Sequence, residues 1–259
     1  MLYYQNENFC GEYDFRCARH TGWTIEAHIH EYSELIYCAN GSGIVYVNGK
    51  ELHLDAGHLI WLPPNYVHKY DLTDCETICA VFTNDFIPLY TLSAGEMNLI
   101  PTAVHMAELS SLVEQLPDHA KNERLYISGC LNLICDKVLE HSQFVSQSSS
   151  ESILYQKVVS YISTHFTEDI TLEKTAKKFG YNPKYLSHAL HSLTSLHFRD
   201  FLAQYRIAKA KELLIAQKRK SISDIALLCG FTAQNTFNRT FKKLTGTTPL
   251  AYRNASHHG

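Results

Sequence analysis

An internal repeat near the end of this 259-residue sequence constrains its fold more than any other feature. Residues 171–181 align with 221–231 at an offset of 50, and residues 186–201 align with 237–252 at an offset of 51. The change of offset indicates one inserted residue in the second copy, near the turn or at the start of its second helix.

Four kinds of position match between the copies: a helix cap, a small alanine, a glycine suited to a left-handed helix end, and a second cap. The matched pairs are Thr171 and Ser221, Ala176 and Ala226, Gly180 and Gly230, and Asn182 and Thr232. The repeat therefore predicts two helix-turn-helix units, and the second helix of such a unit enters the major groove of DNA. A plain helical bundle is the alternative.

The distribution of charge also separates the chain into two parts. Residues 1–150 contain 7 Lys and Arg against 19 Asp and Glu, a net charge of −12, whereas residues 151–259 contain 16 against 7, a net charge of +9. A basic region can contact a polyanion such as DNA. The sign changes at the Ser/Gln-rich stretch 143–152, which is typical of a flexible linker.

The composition excludes several classes of protein. A hydrophobic content of 45% is too high for a disordered chain, and no apolar run approaches the roughly 18 residues of a membrane span. The first residues lack the pattern of a signal peptide, and the eight cysteines form no CxxC pair. We therefore expect a cytoplasmic protein with reduced thiols.

The acidic part predicts strands over 20–82. Asn48-Gly49 separates two short runs and is typical of a tight hairpin turn, and strands at this spacing indicate an antiparallel barrel or sandwich. Apolar residues at helical spacing predict helices over 103–116 and 123–141. Further helices are predicted at about 152–166, 171–178, 183–193, 198–216, 221–228 and 233–244.

Two motifs in the acidic part resemble those of the cupin barrel. They are Gly22-x5-His28-x-His30-x3-Glu34-x6-Gly41 and Gly57-x5-Pro63-x-Asn65-x2-His68. The second departs from the cupin pattern at Asn65, where Gly is usual, and at Leu72, where Asn is usual. The resemblance implies that His28, His30, Glu34 and His68 are metal ligands. His28 and His30 point to one face of a strand, and three imidazoles with a carboxylate suit Zn, Fe, Mn, Ni or Cu.

Further segments extend the signal of the repeat. They are Tyr205-Arg-Ile-Ala-Lys-Ala-Lys-Glu-Leu-Leu214, Ile225-Ala-Leu-Leu-Cys-Gly-Phe231, Phe237-Asn-Arg-Thr-Phe-Lys-Lys243 and Thr248-Pro-Leu-Ala-Tyr-Arg253. Together they resemble the DNA-binding domain of the AraC family of transcription regulators over about 100 residues. The resemblance implies two units joined by a long helix that read successive major grooves. A helix of about 20 residues spans ~30 Å, close to one turn of DNA.

Exposed positions early in the second helix of each unit are expected to face base edges. They are Lys184, Ser187 and His188 in the first unit, and Gln234, Asn235, Asn238 and Arg239 in the second. Arg suits guanine, and Asn or Gln suits adenine. The family usually has Arg or another strong donor near His188 and Lys near His191 and Ser192. Because a neutral imidazole is a weaker partner, we expect the first unit to read DNA weakly. The candidates for phosphate contacts are Lys177, Lys178, Lys242 and Lys243.

Sensor domains of the AraC family resemble cupin barrels, which implies a pocket for a small effector, often a sugar. The expected effector-binding residues are His28, His30, Glu34, His68 and Trp61. For the histidines and Glu34, three interpretations stay open: effector contact, a bound divalent metal, or a structural role. Trp61 has a core role as its alternative. No cofactor is expected, and a bound divalent metal stays an open alternative.

The resemblance also implies a homodimer formed through the helices at 103–116 and 123–141. The candidate contacts are Leu109, Leu112, Leu131 and Ile134, and packing onto the barrel is the alternative for each. The predicted organisation is an all-β cupin-like barrel (1–98), dimerisation helices (99–145), a linker (146–151) and an all-α domain of two helix-turn-helix units (152–259).

The sequence therefore predicts a ligand-responsive regulator that binds double-stranded promoter DNA and, as an activator, recruits RNA polymerase. In this interpretation the protein is not an enzyme and has no membrane partner. A metal-dependent cupin enzyme joined to a DNA-binding domain is the first alternative. A DNA-binding protein whose inert barrel serves only dimerisation is the second.

Overall fold

The computed structural model describes residues 3–4, 15–90, 98–119, 123–145 and 151–255. Beyond residue 13 the chain divides into two compact units, Asp14–Ile153 and Leu154–Gly259, here called the sheet domain and the helical domain. A strand-rich domain followed by helix-turn-helix units confirms the predicted fold class. The predicted linker at 146–151 lies outside the described residues except for Glu151, which begins a helix. Among the described helices, none combines the length and apolar composition that a bilayer span requires.

A two-residue strand, β1 Tyr3–Tyr4, precedes the sheet domain. The sheet domain itself is built on antiparallel strands, of which three have 15 residues. They are β2 Phe15–Ile29, β3 Ser33–Val47, β4 Lys50–Asp55, β5 His58–Leu62, β6 His68–Phe82, β7 Asn98–Ile100, β8 Ala103–His105 and β9 Gln143–Val145. β6 pairs with β2 and β3, β3 pairs also with β4 and β5, β5 pairs with β8, and β7 pairs with β9. The register of β3 against β6 shifts next to Gly41. Gly41 has a φ of 83°, and a Cβ there would collide with the carbonyl oxygen of Asp74.

The turn between β3 and β4 confirms the predicted hairpin. Asn48 and Gly49 have φ angles of 47° and 78°, the left-handed values that a tight turn of this kind requires. The helix predicted over 103–116 is wrong at its start. Ala103–His105 form β8, which pairs with β5, and the helix begins only at Ser110. Val104 is buried and His105 exposed, so the alternation of a strand replaces helical spacing there.

Helices cover one face of the sheet. They are α1 Ser110–Gln115 and α2 Arg124–Glu140, with short 3-10 helices at Asn84–Phe86 and Leu116–His119 and a helical turn at 88–90. Leu131 and Ile134 of α2 are fully buried in the core that this contact forms, and Leu109 and Leu112 pack against the same core. The predicted dimer contact through Leu131 and Ile134 is therefore wrong, because an apolar stripe that packs onto the sheet is hidden from a partner.

The helical domain follows the repeat. Its helices are α3 Glu151–His165, α4 Leu172–Phe179, α5 Pro183–Thr194, α6 Phe198–Ala216, α7 Ile222–Leu228, α8 Gln234–Thr245 and α9 Pro249–Ala255. The hydroxyl oxygens of Thr171 and Ser221 accept hydrogen bonds from backbone N–H groups at the starts of α4 and α7, at 3.2 and 3.0 Å. The two units therefore begin with the same capping interaction.

The turns between the helices of each unit differ by one residue. Gly180 and Gly230 have φ angles of 74° and 76°, as a left-handed turn demands. Asn182 caps α5 through its side chain, as predicted, but α8 is preceded by Ala233, which makes no side-chain capping bond. The predicted cap at Thr232 is therefore wrong, because the inserted residue moves the helix start by one position.

Candidate metal centre and DNA-binding surface

Four polar side chains meet inside the sheet domain. His28 lies near the end of β2 and His30 just after it, Glu34 lies at the start of β3, and His68 begins β6. The pairing of β2 with β6 sets His28 opposite His68. One nitrogen or oxygen atom from each residue lies within 4.8 Å of those of the others, and none of the residues is more than 4% exposed. The strand register thus assembles the four residues that the two motifs predicted as a group.

Each of the three imidazoles is anchored to the backbone. The Nδ1 atoms of His28, His30 and His68 lie 2.9, 3.1 and 2.8 Å from carbonyl oxygens two residues away along the chain. A carbonyl oxygen only accepts hydrogen bonds, so each Nδ1 holds a proton and donates it. The Nε2 atom of each ring is then the nitrogen left for a ligand. Histidines that bind metals are typically oriented in this way.

Glu34 joins the histidines to one another. Its Oε2 lies 2.8 Å from Nε2 of His30 and 3.1 Å from Nε2 of His68, and its Oε1 accepts a hydrogen bond of 2.9 Å from the thiol of Cys79. Burial works to raise the pKa of Glu34, but the contacts with His30 and His68 hold that pKa well below its ordinary value. Burial lowers the pKa of His28 to about 2, and His68 adds to that effect. The cluster therefore contains an ionised carboxylate and a neutral His28.

The donor set fits a divalent transition metal. A carboxylate oxygen and the unprotonated nitrogen of an imidazole are both hydrogen-bond acceptors. The short contacts of Glu34 with the two imidazole nitrogens are therefore stable only with a proton or a cation between the two atoms. Three imidazole nitrogens and one carboxylate oxygen match the ligands of Zn, Fe, Mn, Ni or Cu. The carbonyl contacts at Nδ1 and the thiol of Cys79 supply the outer interactions that orient such ligands.

The structure does not bring Trp61 to this cluster. Leu62 pairs with Glu34, so the alternation of β5 directs Trp61 to the opposite face of the sheet. There it is fully buried in the core beneath α2, with its ring 4.4 Å from that of Tyr90. Trp61 thus has the core role that was its alternative. Sequence reasoning missed Cys79, which only the register of β3 against β6 places beside Glu34.

The predicted base-contacting residues lie on α5 and α8. Five of them are exposed: Lys184, His188, Gln234, Asn235 and Arg239. The other two, Ser187 and Asn238, are half-buried. The other face of each helix is buried through Leu186, Ala189 and Leu190 in α5, and through Phe237 and Phe241 in α8. Each second helix therefore presents a polar face to solvent, as a helix that enters the major groove requires. The four candidate phosphate-contacting lysines are exposed as well.

Comparisons with known proteins agree with this architecture. The family described as "AraC-like ligand binding domain" matches residues 14–156, and the family described as "Helix-turn-helix domain" matches residues 175–255. An uncharacterized HTH-type transcriptional regulator of Bacillus subtilis, YobQ, is 25% identical over 231 residues, 88% of each chain. The HTH-type transcriptional activator RhaR of Escherichia coli is 23% identical over 244 residues, 87% of this chain and 86% of RhaR.

A solved structure shares the fold. ToxT from Vibrio cholerae is 14% identical, with a TM-score of 0.54 over 93% of this chain and 98% of ToxT. The ligand-binding family covers more than half of the sequence, and the helix-turn-helix family covers most of the repeat. The protein therefore belongs to the AraC family, as a regulator that joins an AraC-type ligand-binding domain to a DNA-binding helix-turn-helix domain.

Proposed function

We propose that the protein activates transcription from promoter DNA, in the cytoplasm, when a small effector binds its sheet domain. The observation that carries the proposal is a ligand-binding domain joined to two helix-turn-helix units with polar second helices. The Escherichia coli relative is named as a transcriptional activator. An effector that binds better to the conformation suited to the promoter shifts the population towards it, and that conformation recruits RNA polymerase.

The proposed effector is a small polar metabolite such as a sugar. Its hydroxyl groups would hydrogen-bond to polar groups of the sheet domain, for which the histidine and glutamate cluster is the candidate. A different class comes from the fold neighbour ToxT, one structure of which is described as bound to an unsaturated fatty acid. The two classes differ in chemistry enough for a screen to separate them.

The effector is identified by thermal shift of the full chain against sugars in one arm and fatty acids in the other. Each compound that raises the melting temperature is then added to DNA-binding and in vitro transcription assays, with DNA selected by the protein from a random pool. We expect a sugar to change transcription. A hit only among the fatty acids rejects the polar effector, and transcription that ignores every bound compound rejects ligand-responsive activation.

We further propose that His28, His30, Glu34 and His68 hold a divalent transition metal. Support comes from the four buried donors within 4.8 Å of one another and from the carbonyl contacts at every Nδ1. A bound ion would supply a Lewis-acidic position that attracts an oxygen of the effector. The four side chains would hold the ion in place. In this proposal the sheet domain binds its ligand and does not convert it.

Elemental analysis of the purified full chain tests the metal. We expect close to one ion per chain and a melting temperature that falls on chelation and recovers on adding metal back. Simultaneous His28→Ala and His68→Ala should abolish both effects, whereas His53→Ala, at an exposed histidine of the same domain, should leave both intact. A metal-free protein that does not respond to added Zn, Fe, Mn, Ni or Cu contradicts the proposal.

We propose a homodimer formed through the solvent face of α2. That face presents Leu125, 91% exposed, and Leu133, 55% exposed, two turns apart on the same side of the helix. A second copy would cover both side chains and remove apolar surface from water. Light scattering should report a dimer that becomes a monomer in Leu125→Asp/Leu133→Asp. Replacing the exposed Leu89 by Asp is the control and should leave the dimer intact.

A further inference from the structure

A pocket of about 580 Å³ opens on the surface of the first helix-turn-helix unit. Its polar lining consists of Glu173, Lys184, Ser187, His188, His191 and His197. His188 and His191 lie one turn apart on α5, and His197 immediately precedes α6. All three histidines are exposed, and the rings of His191 and His197 have centroids 5.3 Å apart. The pocket thus collects three titratable groups beside the helix that enters the groove.

The second unit has no histidine at these positions. With the offset of 51, His188 corresponds to Arg239, His191 to Lys242 and His197 to Thr248. At two of these positions, the first unit therefore has an imidazole where the second unit has a permanently charged side chain. An ordinary imidazole titrates near pH ~6.5, so its charge changes within the physiological range, whereas those of Arg and Lys do not.

The surroundings of the three histidines favour an anion. Glu173 on α4 and Lys184 on α5 line the pocket, and Arg199 and Asp200 follow His197 on α6. Their formal charges cancel, so the sign of the pocket depends on its histidines. Two protonated rings as close as His191 and His197 repel each other unless an anion lies between them. The first N–H groups of α6, a helix of 19 residues, add partial positive charge beside His197, which makes no side-chain capping bond.

We propose that this histidine pocket binds a phosphate of the DNA backbone when its imidazoles are protonated. The contribution of the pocket to DNA affinity then depends on its protonation, whereas Arg239 and Lys242 at the matched positions of the second unit keep their charge. The inference rests on the DNA-binding role of the two units and is independent of the effector and metal proposals.

The sign of the pH dependence follows from linkage. A phosphate favours the protonated form of an imidazole that it contacts, so the complex with DNA binds more protons than the free protein. Affinity therefore falls as pH rises through the titration range. Each proton taken up accounts for a loss of up to about tenfold in affinity per pH unit.

The test measures binding of the full chain to a labelled random-sequence duplex by fluorescence anisotropy, at constant ionic strength. Between about pH 6 and pH 8 the wild-type dissociation constant should rise by about tenfold, which corresponds to an average uptake of about half a proton on binding. The triple variant His188→Asn/His191→Asn/His197→Asn should lose most of that rise. His191→Lys should strengthen binding at the upper pH by restoring a permanent charge.

A matched variant separates this pocket from the general effect of titrating histidines. His53→Asn/His105→Asn/His141→Asn removes three histidines of the sheet domain and should keep the wild-type pH dependence. A triple pocket variant with the wild-type pH dependence overturns the proposal. Binding at the upper pH reports the permanent charges of both units, so its absence in the wild type contradicts the DNA-binding role itself, a result distinct from failure of the pocket.

Discussion

The two helix-turn-helix units share the features that build the motif. In each, a hydroxyl side chain caps the first helix, a fully buried alanine lies in its middle, and a glycine with positive φ ends it or follows its last turn. In each, the second helix buries an apolar face. These positions are fixed by sterics and by hydrogen bonding of the backbone, which are the same in both units.

The units differ in the side chains that they expose. On the first helices, the exposed pairs are Lys177 with Leu227 and Lys178 with Leu228. On the second helices, the pairs are His188 with Arg239, His191 with Lys242 and Ser192 with Lys243. At these matched positions, permanent positive charge thus lies on the first helix in the first unit and on the second helix in the second unit. The comparison teaches that two copies of one motif can keep the same buried framework and carry their exposed charge on different helices.

The largest difference in stability is expected at the matched glycines. Alanine at either Gly180 or Gly230 must adopt the left-handed conformation, which costs about 1–2 kcal/mol. At Gly230 the new Cβ would also lie 2.5 Å from the carbonyl oxygen of Phe166 and 2.9 Å from Cα of Thr167, whereas nothing lies within 4 Å at Gly180. Displacing that backbone adds about 1–3 kcal/mol.

Chemical denaturation of the full chain, followed by far-ultraviolet circular dichroism, measures both losses. Gly230→Ala should lower the midpoint clearly more than Gly180→Ala. Gly129→Ala is the control, because Gly129 lies within α2 with open space around it, and a helical alanine there should stabilise by about 0.5–1 kcal/mol. Equal losses of stability in Gly180→Ala and Gly230→Ala would show that the close contact with the Phe166 carbonyl oxygen does not distinguish the two units.

The next effect concerns DNA affinity at the matched positions Arg239 and His188. Arg239→Ala should weaken binding to a selected specific site by about 1–3 kcal/mol, as loss of a paired contact to guanine does. His188→Ala should cost about 1 kcal/mol or less, because an imidazole does not make the paired contact that a guanidinium makes to guanine. A gel-shift titration measures both. A larger loss for His188→Ala than for Arg239→Ala would reverse the assignment of base reading to the second unit.

Local rules explain what could be predicted from the sequence. Caps, left-handed glycines and the Asn48-Gly49 turn depend on a few neighbouring residues, so the helical domain and the β3–β4 hairpin followed from the sequence alone. The metal-ligand candidates were predicted because two motifs with fixed spacing contain all four. The position of the Cys79 thiol beside Glu34 depends on strand register and was not visible in the sequence.

The wrong predictions arose where one sequence pattern was compatible with two structural environments. Residues 59–62 of β5 are all buried, so no alternation shows to which face Trp61 points. The stripe of Leu131 and Ile134 has the same spacing whether it packs on a sheet or on a second subunit. Thr232 was assigned as a cap because an alignment locates an inserted residue only approximately.

The smallest difference expected between the units lies at the second caps. Asn182→Ala removes the 2.8 Å bond from the backbone N–H of Lys184 and should destabilise the helical domain by about 1 kcal/mol. Ala233→Asn places a capping oxygen where α8 has none, on backbone that is already extended, and should stabilise by about 0.5–1 kcal/mol. Because the two sites lie in different units, we expect their effects to add, so the double variant should melt close to the wild type. A destabilising Ala233→Asn would mean that the inserted residue has given α8 a start at which a side-chain cap does not fit.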